Sequence, residues 1–220
     1  MTPLRLLPAL LLPWIAAAAL AQPPGLLPAL SVDQWQVLER GEVVVTQLPP
    51  AGGQGYAYKT YGLVEAAPAR VWGVIQDCEH LDEYMPRMAL AVETEQTETS
   101  YVCETEIDLP FPLSNRRNKA LSILEQLPGG IFKRHWSLTD GNWDYYRHDG
   151  SWTIHPWGED GERSLLENWI DSWPKNAVPD FIVHAARTVQ APEAFEAIRK
   201  RVRSISPPSV VAGPPGLLAN

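Results

Sequence analysis

Val178–Arg203, VPDFIVHAARTVQAPEAFEAIRKRVR, is the stretch whose reading decides the fold. Phe181, Ile182, Ala185, Ala186 and Val189 recur at three- and four-residue spacing. That pattern predicts a helix with one apolar face and with His184, Arg187 and Gln190 on the other. Pro179 suits a first-turn position, Asp180 complements the positive helix end, and Arg199, Lys200, Arg201 and Arg203 gather near the negative end. Gln190-Ala191-Pro192 interrupts the run, because an interior proline removes a backbone donor and restricts the residue before it. The spacing therefore predicts a kink or break near Ala191, with Phe195, Ile198 and Val202 restarting the apolar stripe beyond it. Pro179–Val189 is expected to cover a cavity, and Glu193–Arg203 to clamp the far end of the surface beneath.

That surface is a sheet. Glu42–Leu48 and Tyr56–Glu65 read as strands separated by a Pro- and Gly-rich loop. Arg87–Thr94, Ser100–Leu109, Arg116–Gln126, Ile131–Leu138, Trp143–Pro156 and Ser164–Trp173 follow, each bounded by turn residues. Asp140-Gly141 is the clearest hairpin signal, and Gly150 predicts a bulge or bend. Short helices are predicted over Val32–Glu39, capped by Ser31, from Pro68 through Ile75, and over His80–Tyr84. Consecutive strands with tight turns make an antiparallel meander, so the class is α+β: a bent antiparallel sheet of about six or seven strands around a long C-terminal helix.

Length and charge bound the rest. A chain of 220 residues fits one domain with tails. A formal charge of −8 argues against a nucleic-acid partner, which would favour a basic stripe. Arg5 followed by the apolar run Leu6–Leu20 and the small-x-small Ala19-Leu20-Ala21 predicts a signal peptide over residues 1–21, hence an exported, soluble, periplasmic or secreted product. Residues 22–41 read as linker and short helix, 42–205 as the domain, and 206–220 as a disordered Pro/Gly-rich tail. Cys78 and Cys103 are read as separate buried thiols ahead of the one disulfide they could form. Their separation suits no zinc motif, and no metal or cofactor is expected.

The order of elements and four segments resemble a known family. They are GLVEAAPARVWGVIQDCEHLDEYMPRM (Gly62–Met88), LPFPLSNRR (Leu109–Arg117), GSWTIHP (Gly150–Pro156) and VPDFIVHAA (Val178–Ala186). Together they resemble the START-like, or SRPBCC, superfamily of helix-grip proteins, in the branch that groups polyketide cyclases with coenzyme Q-binding proteins. The resemblance spans about residues 42–203. It implies a deep cavity between sheet and C-terminal helix, and apolar ligands such as lipids, quinones, sterols or polyketides.

Strand alternation nominates the cavity wall. Tyr101, Cys103, Thr105 and Ile107 are expected to face the helix, with Glu104, Glu106 and Asp108 turned to solvent. Phe132, Trp136 and Leu138 share a face and bring Arg134 with them; Leu166, Asn168 and Ile170 share another. The candidate ligand-binding residues are Trp72, Tyr84, Met85, Tyr101, Thr105, Ile107, Phe111, Arg116, Arg134, Trp136, Asn168, Phe181 and Ala185. Arg116, ending the family-like turn, is the expected polar anchor; the alternative is a structural salt bridge to Glu104, Glu106 or Asp108. His80 and His135 are read as outward-facing, and Glu167 and Asp171 stand too far apart along one strand to act as a retaining carboxylate pair. No catalytic residues are assigned. The leading reading is a non-enzymatic carrier of a hydrophobic or amphipathic small molecule, with transient membrane contact. A cyclase-type enzyme using Tyr101 or Arg116 is the second, and an envelope interaction module with a filled cavity is the third.

Overall fold

The computed structural model describes residues 27–139, 144–176 and 178–205. The expected signal peptide, the Asp140-Gly141 hairpin signal and the expected C-terminal tail lie outside them. Helix α1 (Val32–Glu39) leads to strand β1 (Val43–Leu48), β2 (Tyr56–Val64), α2 (Pro68–Ile75) and α3 (Leu81–Tyr84). Strands β3 (Met88–Thr94), β4 (Ser100–Ile107), β5 (Arg116–Leu127), β6 (Ile131–Leu138), β7 (Tyr145–Trp157) and β8 (Arg163–Pro174) then run consecutively. They form one sheet in the order β1-β2-β8-β7-β6-β5-β4-β3, every pair antiparallel. The sheet has eight strands rather than six or seven, because the early hairpin β1–β2 joins its β8 edge.

Local chemistry explains the ends of the elements. Ser31 and Gln34 form a capping box at the start of α1, each side chain bonding the other's backbone N–H. Pro68 opens α2, where its missing donor costs nothing. Helix α1 packs on the outer sheet face through Leu38, which meets Val44, Tyr61, Leu63 and Leu165, and Trp35 stacks on Trp157 with centroids 4.4 Å apart. The main core lies on the opposite, concave face, where Val71, Trp72 and Ile75 of α2 meet Trp136, Trp152 and Ile154.

The C-terminal segment is helical throughout as α4 (Asp180–Ala185), a π-helical turn over Ala186–Gln190, and α5 (Ala191–Ser204). The break expected at Ala191 is thus a widened turn. Gln190 and Ala191 keep helical angles, and the π turn places Pro192 in the first turn of α5, where its lack of an N–H is tolerated. Phe195, Ile198 and Val202 bury the inner stripe of α5, as their spacing predicts, whereas Phe181 is 69% exposed and Val189 is 49% exposed. The first part of the helix has only Ile182 buried, so it lies less deeply on the sheet than the pattern suggests.

Two further expectations change. Cys78 and Cys103 are joined in a disulfide, Cα atoms 6.2 Å apart, not separate thiols. It ties the segment just past α2 to the middle of β4, and both residues are buried beside Leu81, Ala91 and Tyr101. Gly150 is not at a bulge: β7 pairs in unbroken register from Arg147 onward, and the irregularity falls between Tyr145 and Arg147. Gly150 instead makes room, since a Cβ there would stand 2.1 Å from Cζ2 of Trp136.

Candidate functional site

Between the concave sheet face, α2–α3 and the C-terminal helix lies a partly enclosed cavity of about 210 Å³. Its walls come mainly from period-two alternation in β4 to β8, with Tyr58 added from β2. Strand β4 contributes Cys103, Thr105 and Ile107; β5 contributes Asn118, Ala120 and Ser122; β6 contributes Arg134 and Trp136. His148 and Trp152 come from β7, and Asn168 and Ile170 from β8. The cover is Ala186, Gln190, Ala191, Ala194, Phe195 and Ile198, so of the expected Pro179–Val189 only Ala186 lines the void, and the rest of the cover comes from the end of the π turn and from α5. Tyr84, Met85, Pro86 and Met88 close the α3 side.

Of the nominated residues, Tyr84, Met85, Thr105, Ile107, Arg134, Trp136 and Asn168 line the cavity. The other six do not. Trp72 is packed behind the wall, stacked on Phe132 with centroids 5.4 Å apart. Tyr101 is buried in the layer around the disulfide, beneath the Arg134 guanidinium. Phe111 stands on the β4–β5 loop, 97% exposed, and Phe181 faces solvent on α4; Ala185 falls one position short of the lining residue Ala186. Arg116 is buried but sits outside the lining. Its Nη2 donates to the Asn176 carbonyl at 3.4 Å, and it makes no ion pair with Glu104, Glu106 or Asp108. The neighbouring Arg117 takes Glu106 instead, at 2.5 Å.

Arg134, and not Arg116, is the arginine that lines the cavity. It is 8% exposed, and its Nη1 donates to the Ile75 carbonyl at 2.8 Å, one of the open carbonyls at the end of α2. The guanidinium lies 5.7 Å from the Tyr101 ring centroid and 5.4 Å from that of Trp136. No carboxylate among the described residues pairs with it within 4.0 Å, and its Nε has no hydrogen-bond partner there.

Five polar lining residues were missed: Tyr58, Asn118, Ser122, His148 and Gln190, the last of which was expected on the polar face of the helix. Asn118 donates to the Thr105 hydroxyl at 2.8 Å, Ser122 is fully buried in the wall, and His148 bonds the Ser172 hydroxyl at 3.2 Å. Asn118 and Ser122 stand two and six residues beyond Arg116 on β5, so alternation from Arg116 would have found both. Burial pushes His148 down to about 4, so the imidazole is neutral at ordinary pH. Burial likewise raises Tyr84 and Tyr101, although the nearby Arg134 charge opposes that in both. His135, expected to face outward, pairs with Glu125 at 3.1 Å, and Glu167 meets Lys59 at 2.6 Å. Among the described residues, no group of three or more His, Cys, Asp and Glu side chains is placed to hold a metal ion.

No family model and no curated protein matches the sequence. Solved structures do match. A STAR-related lipid transfer protein from Xanthomonas axonopodis is 18% identical, with 73% of this chain and 93% of that one covered at a TM-score of 0.63. Human StAR-related lipid transfer protein 5 is 13% identical over 73% and 82% of the two chains, TM-score 0.65. A START superfamily protein from Mycobacterium smegmatis is 13% identical over 69% and 100%, TM-score 0.51. The fold is the START-like helix-grip fold. The sheet, the helix laid across its concave face and the void between them are its parts in this chain.

Proposed function

We propose that this protein binds or carries one hydrophobic or amphipathic small molecule in the cavity between sheet and C-terminal helix. The observation that carries the reading is the cavity itself: an apolar void walled by Trp136, Trp152, Ile170, Phe195 and Ile198, with a few convergent polar groups. The lipid transfer proteins that share the fold support it. The void weighs against a filled-core interaction module. Arg134 takes the role of polar anchor, with Asn118, Ser122, His148 and Asn168 setting the ligand's orientation. A cyclase-type enzyme has less support, since Arg116 stands outside the lining and Tyr101 lies behind it.

Export is part of the proposal, and the Cys78–Cys103 disulfide supports it, because such bonds persist in oxidising compartments. Transient membrane contact is proposed through Phe111, Phe181 and Val189, which leave large apolar surfaces in solvent. The bond from Arg116 to Asn176 joins the base of the Phe111 loop to the segment entering α4. Two measurements test the whole. Delipidated protein should take up an environment-sensitive apolar fluorophore in a saturable, one-to-one manner; no uptake sinks the binding reading. N-terminal sequencing of the protein from its own host should begin after Ala21; an intact Met1 sinks export.

A further inference from the structure

We infer that the cavity selects a small monocarboxylate: one carboxylate on a short apolar body, of the size of octanoate, with the carboxylate on Arg134. The inference rests on the binding reading above and narrows it by size and by charge.

Size comes first. Small-molecule pockets usually enclose about 300–1,000 Å³. The void here is about 210 Å³. A sterol or a two-chain lipid exceeds that, whereas a medium-chain or single-ring acid fills it.

Charge comes second. A buried guanidinium carries a desolvation penalty of several kcal/mol unless its charge is answered. Arg134 has one carbonyl acceptor, from Ile75, and two aromatic faces, but no carboxylate within 4.0 Å among the described residues. Its Nε is buried and unpartnered. The Tyr101 and Trp136 rings stand 5.7 and 5.4 Å from the guanidinium, whose planar fork suits the bidentate geometry of a carboxylate. Position comes third. Arg134 sits level with Trp152 and Asn168 under the end of α2, where Ile75 and Trp72 seal the sheet. From Arg134 the wall runs past Ser122, Asn118 and Thr105, among the apolar Trp136, Ile107, Met85 and Met88. A carboxylate on Arg134 leaves its apolar body on that wall.

The test is calorimetric titration of the delipidated full chain with octanoate, octanamide, and cholesterol or phosphatidylcholine presented in vesicles. Octanoate should bind at least tenfold tighter than octanamide, and the vesicle lipids should not be extracted. Arg134→Met should abolish the tenfold preference while octanamide binding survives; Arg134→Lys should keep part of it. Equal binding of octanoate and octanamide overturns the carboxylate claim, and lipid extraction with no octanoate binding overturns the size claim. Either result leaves the general binding reading standing. Silence from every apolar probe overturns both. Should Arg134→Met fail to fold, the octanoate-to-octanamide ratio of the unmodified protein still decides.

Discussion

Gly150→Ala is a one-methyl change aimed at the cavity wall. Gly150 pairs with Trp136 across β6–β7, and the indole lies flat on the glycine. A Cβ at 150 would meet Cζ2 at 2.1 Å, while ordinary contact begins at 3.4 Å, so the ring must retreat by 1.3 Å. It cannot retreat into the sheet, and the free space is the cavity that it lines. Forced repacking of this kind costs about 1–3 kcal/mol. For a domain of this size that is a fall in Tm of roughly 2–12 °C. Binding should suffer more than stability, because Trp136 moves into the ligand's volume and away from its place 5.4 Å from Arg134. Thermal unfolding and fluorophore titration of the same preparation read both effects. Gly73→Ala is the matched control. Gly73 lies within α2, and a methyl added there would meet nothing within 4 Å, so the same substitution should stabilise by about 0.5–1 kcal/mol. If Gly150→Ala leaves Tm and affinity unchanged, the close approach of Trp136 to the strand does not set the cavity's shape.

Removing the disulfide as Cys78→Ala/Cys103→Ala opens a loop closed across a separation of 25 residues and should lower stability by about 3 kcal/mol, read by chemical denaturation. A dithiol reductant should bring the parent protein toward the same midpoint and leave the double variant unmoved. His148 ordinarily titrates near 6.5 but is held down to about 4 by burial, so the unfolded chain binds the extra proton across that window. Stability should be undiminished by this group above pH 6.5 and should fall as pH drops from 6.5 through 4, by up to about 3 kcal/mol. His148→Gln should flatten that portion of the curve; an unchanged slope would assign it to other groups. Ala194→Leu, which points a larger side chain from α5 into the void, should add about 0.5–2 kcal/mol of stability and weaken fluorophore binding together. Higher stability with undiminished binding would mean that the ligand sits elsewhere.

The fold was legible because its signals are local. Alternation in β4, β6 and β8 placed Thr105, Arg134 and Asn168 on the correct face, and three- and four-residue spacing placed Phe195 and Ile198 under the helix. Alternation identifies a face but not a position along it. Arg116 and Asn118 share the concave face of β5, yet only Asn118 reaches the cavity, because Arg116 stands at the strand's first residue, beyond the void. Phe181 shows the limit of periodicity in the other direction: its stripe is apolar, yet Phe181 is exposed and Ile182 is the one residue of α4 that is buried. The disulfide was illegible because the meeting of Cys78 and Cys103 depends on how α2 docks, a tertiary fact with no sequence period.

The cavity is also an argument about purpose. A void of about 210 Å³ left in a core costs up to about 5 kcal/mol at about 24 cal/mol per Å³, less whatever water recovers along Asn118, Ser122 and Arg134. The sequence holds the void open in two ways. It places Ala186, Ala191 and Ala194 where the C-terminal helix crosses the sheet, although leucine there would fill the gap. It also places Arg134, which cannot be buried cheaply, where an apolar residue would seal the wall. Both choices oppose stability at the same spot, and the remaining core is closely packed: Leu38, Val71, Ile154, Leu165, Leu166 and Ile198 have no measurable exposure. A chain able to pack those residues so well leaves a charged, small-residue hollow only where something else completes it. That is the physical reason to read the hollow as a binding site and the guanidinium as its polar end.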